Sequence, residues 1–347
     1  MRKLNIFFLL FISINSFAQI GGNSVYEFLN LSSSARAASL GGDVIAIKDN
    51  DLGLCSYNPS LLNNSMSNNL VLDYVNYFTD INYAYVSYAK TYDNIGNFAI
   101  GLQSINYGDF IEADENGLIT GNFKSSEYAL NLFYSRELDS MFSVGANLKP
   151  IYSVFDSYTS YGIALDAGIT YHNEKKQLTA AFVMKNLGTQ IKPYHEGNRE
   201  PLPFELEIGV SKKLAHAPFR LSFIAHNLET YDLTYSKINT SEPTNVDVSD
   251  SNTSDNFDFF GNLMRHTIFG LEFIPTKNFF VRLGYNYQRR KELQVVKATN
   301  FVGFSWGFGI KISKFQISYG SATYHLAGAS NHFSISTNLS DFYKRKS

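Results

Sequence analysis

Apolar and polar residues alternate singly along much of the chain after residue 68. In residues 140–152, one face is apolar and the other is small or polar. The apolar positions are Phe142, Val144, Ala146, Leu148 and Tyr152, and the opposite positions are Ser143, Gly145, Asn147 and Lys149. A period of two residues predicts a β-strand with two unlike faces. The same pattern recurs at 161–172 and 278–288.

Fourteen segments of this kind follow one another. They are 69–79, 81–91, 95–107, 124–137, 140–155, 158–172, 175–187, 203–214, 217–229, 263–274, 278–290, 299–312, 314–325 and 330–340. Their length of about 10–14 residues is roughly twice that of strands in soluble sandwiches and suits tilted membrane strands. An even number of strands is also what a single-chain bacterial barrel requires. We therefore predict an all-β fold, a transmembrane antiparallel β-barrel of about 14 strands.

The connections between these segments differ in length. The long ones, 108–123, 188–202, 230–262 and 291–298, all follow odd-numbered segments and therefore lie at one end of the barrel. Outer-membrane barrels have long extracellular loops and short periplasmic turns. We expect a bacterial outer-membrane location, with the long loops extracellular and both termini periplasmic.

The first eighteen residues have the pattern of an export signal. Two basic residues precede the seven-residue apolar run 6–12, and small residues follow at the positions that a signal peptidase inspects. We predict that residues 1–18 are a signal peptide, cleaved between Ala18 and Gln19. The apolar run is far too short to span a bilayer, which takes about 20 residues.

Residues 19–66 do not alternate. They contain glycine pairs, a serine run and the pair Asn58–Pro59. The segment is interpreted as a periplasmic tail or as a hatch inside the lumen, and its short apolar pieces favour the hatch. The predicted organisation is a hatch segment at 19–66 and an outer-membrane β-barrel at 67–347.

Composition narrows the function classes. The formal net charge of the 347 residues is −2, so no basic face indicates nucleic-acid binding. The single cysteine, Cys55, excludes an intramolecular disulfide and a cysteine-based zinc site. The acidic loop 241–258 lacks the glycine and glutamate of a calcium-binding loop, so we interpret it as a solvated loop. No metal site and no cofactor site is predicted.

The stretch GFSWG at 303–307 matches the G-x-S-x-G nucleophile elbow of serine hydrolases, with Ser305 as the nucleophile. An elbow needs a strand, a tight turn and a helix, whereas here the alternation continues on both sides of Ser305. One face of the strand is predicted to meet lipid. Its residues are Val302, Phe304, Trp306, Phe308 and Ile310. We predict no catalytic residue and no enzymatic activity.

Charged residues occur on the predicted lumen faces. They are Glu205, Glu207, Arg220, Arg282 and Lys311. These side chains either form a salt-bridge network or line a pathway. We favour the network, because a narrow barrel has to fill its interior.

Several short motifs carry a family resemblance. Residues 26–62 contain YEFLNL, SARAASLGG, a D-x-D-x-G run and NPSLL. Further along are INYGDF (105–110), GANLKPIYS (145–153), KNLG (185–188) and REPLPFELEIGVSKKLAHAPFRL (199–221). In number and order these motifs resemble the PorQ family of the type IX secretion system, which is related to PorV and, more distantly, to FadL. Ser60 stands where related barrels often have alanine, a small departure.

The resemblance implies a FadL-like barrel with an N-terminal hatch and a non-enzymatic role in a cell-surface attachment complex. The implied partners are outer-membrane lipid, a PorZ-like surface protein, PorU and PorV. The alternative is a FadL-like transporter of hydrophobic small molecules. A water-filled porin is disfavoured by the glycine-rich lumen face and the hatch.

If residues 299–312 form a membrane strand, substitutions on its two faces should have different effects. Phe304→Asp should reduce the fraction of folded barrel in outer membranes, because a carboxylate facing hydrocarbon costs roughly 2–3 kcal/mol. Ser305→Ala should leave that fraction nearly unchanged. The folded fraction is measured by the shifted electrophoretic migration of unheated samples. Loss of function in a folded Ser305→Ala protein would restore the nucleophile hypothesis.

Overall fold

The protein is a closed barrel of fourteen antiparallel strands. The computed structural model describes residues 24–77, 79–233, 259–293, 301–325 and 328–343. Each strand pairs with its neighbours in the chain, and β1 closes the barrel against β14. The predicted all-β barrel and its strand number are confirmed.

The strands vary in length around the barrel. They are β1 Asn69–Asn76, β2 Asn82–Tyr92, β3 Gly96–Ala113, β4 Ile119–Glu137, β5 Phe142–Phe155, β6 Tyr158–Asn173, β7 Leu178–Lys192, β8 Glu205–Lys213, β9 Phe219–Ala225, β10 Thr267–Thr276, β11 Phe279–Asn286, β12 Phe304–Ile312, β13 Phe315–His325 and β14 Gly328–Asn338. Among the described residues that follow β1, three short helices connect or follow the strands, α2 (Phe259–Arg265), α3 (Tyr287–Glu292) and α4 (Ser340–Tyr343). No helix in the described ranges is long and apolar enough to cross a membrane.

The two faces of the wall differ as the alternation predicts. In β5, Leu148 and Tyr152 are exposed on the outside, whereas Asn147 and Lys149 are buried inside. Exposed leucine, isoleucine and phenylalanine side chains cover the outer face of most other strands in the same way. A continuous outward apolar band of this kind is what a membrane-spanning barrel presents to lipid.

Residues 24–68 fold inside the barrel as the hatch. It contains one helix, α1 (Ala35–Ser39), and four single 3-10 turns at Glu27–Asn30, Leu52–Ser56, Pro59–Leu61 and Asn64–Met66. The side chains that begin α1 and the last three turns each accept a hydrogen bond from a backbone N–H two residues on. They belong to Ser34, Asp51, Asn58 and Asn63. Frequent capping residues favour short turns over a long helix.

Inward glycines let the hatch backbone approach the wall. A Cβ atom on Gly145 in β5 would lie 2.4 Å from the carbonyl carbon of Pro59, and one on Gly284 in β11 would lie 2.2 Å from the amide nitrogen of Gly41. Both distances are too short for any side chain. The glycine-rich lumen face seen in the sequence is therefore the contact surface of the hatch.

The connections at one end of the barrel differ in part from those predicted. The expected loop 108–123 is mostly strand, because β3 and β4 continue as a hairpin that turns only at 114–118. The connections β7–β8 and β9–β10 are long, and β9–β10 contains α2. The prediction that strand 11 reaches residue 290 is wrong. Asn286 ends β11, and its side-chain oxygen accepts a hydrogen bond from the N–H of Arg289 to start α3.

Some predictions concern residues outside the described ranges. The signal peptide and its cleavage between Ala18 and Gln19 lie there, as does the acidic loop 241–258. These remain predictions.

Candidate functional site

The guanidinium of Arg36, in helix α1 of the hatch, lies at the centre of a buried cluster of charges. Nε and Nη2 donate to the two oxygens of Glu272 in β10 at 2.9 and 3.0 Å. Nη1 and Nη2 donate to the two oxygens of Asp49 at 3.2 and 2.8 Å, and Nη1 also donates to Asp51 at 3.0 Å. A guanidinium has five N–H donors, so every donor of Arg36 has a partner.

Glu272, in the barrel wall, is the carboxylate that pairs with Arg36. Oε1 accepts from Nε of Arg36 and from Nε of Arg282 in β11, both at 2.9 Å. Oε2 accepts from Arg36 and from Nη1 of Arg220 in β9, the latter at 2.8 Å. The four acceptor sites of a carboxylate are thus filled by three arginines, although the side chain is only 1 % exposed.

The cluster is balanced in charge. It holds three guanidiniums, from Arg36, Arg220 and Arg282, and three carboxylates, from Asp49, Asp51 and Glu272. Burial alone would raise the pKa of Asp49, but Arg36 and Arg220 hold that pKa below its usual value. Burial alone would likewise lower the pKa of Arg36, and the surrounding carboxylates hold it above its usual value. Arg36 and Asp49 therefore stay ionised while packed in the lumen.

A second buried cluster joins the hatch to β7 and β8. Nζ of Lys185 lies 2.6 Å from Oδ2 of Asp43 in the hatch and 2.9 Å from Oε1 of Glu207. Glu205, on the same face of β8, lies 3.7 Å from Nδ1 of His226. These contacts attach the hatch to the wall at a second point around the barrel.

Asn58, predicted as part of a hatch motif, anchors the segment to β6. Its Nδ2 donates to the carbonyl of Ile45 at 2.7 Å and to Oγ1 of Thr170 at 3.0 Å. Its Oδ1 accepts from the backbone N–H of Ser60 at 2.9 Å. Pro59 follows at the first position of the next turn, where its fixed φ suits a helical start. Asn58 thus connects two parts of the hatch to each other and to the wall.

The structure brings most of the predicted lumen charges together. Glu205 and Glu207 lie in the second cluster, and Arg220 and Arg282 lie in the first. The expectation for Lys311 is corrected. It has the register of the inward face, but it lies next to the short turn after β12, where its side chain is exposed.

The predicted lipid-facing strand needs one correction. Phe304, Trp306, Phe308 and Ile310 are exposed on the outer face of β12. Val302 is buried, because the chain turns at Phe301–Gly303 before β12 begins at Phe304. Ser305 lies within the strand, paired with Gly284 and Ala322, and is 2 % exposed. This is not the strand–turn–helix geometry of a nucleophile elbow.

Sequence reasoning did not identify Arg36, Asp49, Asp51 or Glu272 as partners. A signal was present for Glu272, because alternation in 263–274 places it inward between Leu271 and Phe273. Arg36 and the two aspartates stood within the SARAASLGG and D-x-D-x-G motifs. Their pairing joins positions up to 236 residues apart, and no local pattern reveals such a contact.

Comparisons with known proteins show what the fold is similar to. No family model matches the chain, and no curated protein matches it. The toluene transporter TbuX of Ralstonia pickettii has a similar structure, with a TM-score of 0.54, 11 % identity, and coverage of 89 % of this chain and 99 % of TbuX. The toluene transporter TodX of P. putida is also similar, with a TM-score of 0.50, 13 % identity, and coverage of 89 % of this chain and 99 % of TodX. The chain therefore has the fold of a FadL-like barrel.

The central position of Glu272 generates a stability prediction. Glu272→Gln should lower the free energy of unfolding by about 3–5 kcal/mol, because it leaves buried guanidiniums without their shared carboxylate. The measurement is urea unfolding of the barrel in lipid vesicles.

Glu137→Gln is the matched control. Glu137 pairs with Lys48 of the hatch at 3.3 Å but is 46 % exposed, so its loss should cost about 0–1 kcal/mol. Equal effects of the two substitutions would show that burial of the Arg36–Glu272 cluster adds nothing to stability.

Proposed function

We propose that this protein is an outer-membrane barrel that admits small hydrophobic molecules. In this proposal the connections after odd-numbered strands face the cell exterior and both termini face the periplasm. The observation that carries the proposal is the fold, a fourteen-stranded barrel with a structure similar to two toluene transporters over 89 % of the chain.

An apolar groove at the end of the barrel with the long connections supports this proposal. It lies between α2 and the rim of β9 and β10, with a volume of about 500 Å³. Its apolar lining residues include Phe223, Leu228, Phe259, Leu263, Met264 and Phe269. A groove of this size and character suits a small apolar ligand. Phe223 and Phe269 belong to the outward apolar face of β9 and β10, so the groove is open to a ligand dissolved in the lipid.

Passage through the barrel then requires the hatch to move. Hatch backbone contacts inward positions on opposite sides of the wall, such as Gly145 in β5 and Gly320 in β13. The hatch is also attached by the two buried charge clusters. A route along the barrel axis therefore opens only when part of the hatch leaves the wall.

A second candidate function rests on the same packing. A lumen filled by a tethered hatch suits a barrel that works as a fixed membrane platform. Together with the PorQ-like motifs, this supports a non-enzymatic role in the type IX secretion attachment complex. In that role the long connections would hold a PorZ-like surface protein, near PorU and PorV.

A disulfide between hatch and wall separates the two functions. Oγ of Ser60 lies 2.7 Å from Oγ1 of Thr170 in β6, so cysteines at both positions need little movement to reach a sulfur–sulfur bond of about 2.05 Å. The pair is introduced into a Cys55→Ala background. Uptake of radiolabelled toluene is then measured in cells carrying the protein, with and without oxidation.

If the protein is a transporter, toluene uptake in the absence of oxidation should be several-fold higher than in cells without the protein. Oxidation should reduce it to background, and a reductant should restore it. The Ser60→Cys and Thr170→Cys single variants are controls, in which oxidation should have no effect. Uptake at background in every case would reject transport. Recovery of PorZ-like, PorU and PorV proteins with the barrel, unchanged by oxidation, would then support the platform.

A further inference from the structure

Three carboxylates from two parts of the chain converge in the second cluster. Asp43 belongs to the hatch, whereas Glu205 and Glu207 project inward from β8. One oxygen of each lies within 4.8 Å of the others. Two oxygens bound to one Ca²⁺ at about 2.3–2.6 Å can be at most roughly 4.6–5.2 Å apart. The three carboxylates therefore reach a common ion with little rearrangement.

The charges around these carboxylates do not balance. Lys185 supplies one positive charge through its contacts with Asp43 and Glu207. The neighbouring Lys149 is already paired with Asp166 at 2.7 Å. Arg289 and Glu292 border the same cavity, but within the described ranges no ion pair joins either of them to the three carboxylates. Three carboxylates against one ammonium leave a deficit of two positive charges, which is the charge of a divalent cation.

The cluster also contains buried polar atoms that lack a hydrogen-bond partner. Oε2 of Glu207 and Nε2 of His226 have no hydrogen-bond partner within the described ranges. Glu207 is 0 % exposed and His226 is 6 % exposed, so bulk water does not compensate them. A buried carboxylate oxygen without a donor costs free energy. Coordination of a cation removes that cost for Glu207.

A polar cavity gives an ion access to this position. It has a volume of about 230 Å³ and is bordered by Asp43, Glu205 and His226, with Asn30, Asn227 and Asn286 among its other lining residues. It lies at the end of the barrel where α3 begins. Amide and carboxylate oxygens are ligands that Ca²⁺ prefers, and the cavity has room for the waters that complete its coordination.

We propose that Asp43, Glu205 and Glu207 bind a divalent cation of the calcium class. The ion links the hatch to β8 and supplies the positive charge that Lys185 alone does not. His226, whose Nδ1 faces Glu205, positions that carboxylate beside the ion. The site goes beyond the proposed function and depends on neither candidate.

The test is calcium binding to the full-length protein in detergent micelles. The protein is first stripped with a chelator and dialysed, and Ca²⁺ is then titrated by calorimetry at neutral pH. We expect one Ca²⁺ per chain, and the ion should slow proteolysis of the hatch. Asp43→Asn and Glu207→Gln should each weaken binding at least tenfold. Glu115→Gln, an exposed carboxylate in the β3–β4 hairpin, should bind as the unchanged protein does.

Asp43→Asn changes only the hatch and leaves the strands intact. If Glu207→Gln does not fold, the calcium affinity of Asp43→Asn tests the site on its own. No Ca²⁺ binding by the unchanged protein, or equal affinity in Asp43→Asn, would overturn the proposal. The carboxylates would then be balanced by bound protons. That outcome would leave the tests of transport and of the platform unaffected.

Discussion

The double ion pair between Arg36 and Glu272 is the interaction on which the rest of the interior depends. Glu272 projects from the wall into a lumen where an unpaired carboxylate is strongly destabilising. It is compensated only because the hatch brings Arg36 to it while β9 and β11 supply Arg220 and Arg282. Three arginines would repel one another without the carboxylates of Asp49 and Asp51. The charges of the hatch and of the wall therefore neutralise each other. Without its partner, each would hold unpaired buried charges.

Packing imposes the same mutual dependence. Inward glycines on the wall leave hollows that only a backbone or a small side chain fills, and the hatch presents Ala35, Ser39 and Gly41 to β13, β12 and β11. The outer face follows the opposite rule, with large apolar side chains at alternate positions. The alternation along each strand thus places large apolar side chains against lipid and small or polar side chains against the hatch. How firmly the hatch is held is what separates the two proposed functions, transport and a fixed platform.

The sequence predicted the barrel well because alternation reports the environment of each strand directly. β5, β6 and most of β12 were recognisable from period two alone. The failures occur where a local hydrogen bond interrupts that pattern. Tyr287 continues the alternation of β11, yet the cap formed by Asn286 turns the chain into a helix. Val302 fits the outer face by parity but lies in the turn before β12. The charged clusters were only partly predictable, since Arg36 and Glu272 are distant in the chain and meet only after the barrel closes.

The accessibility of Cys55 tests most directly whether the hatch is locked in the lumen. This single cysteine lies within the hatch, is 0 % exposed and contacts Met66, and burial raises the pKa of its thiol well above the usual value. A maleimide reagent is applied to isolated outer membranes, and the label on Cys55 is followed over time. The expectation for a hatch locked in the lumen is no labelling over hours in the folded barrel and complete labelling after denaturation. Rapid, complete labelling of the folded protein would contradict it.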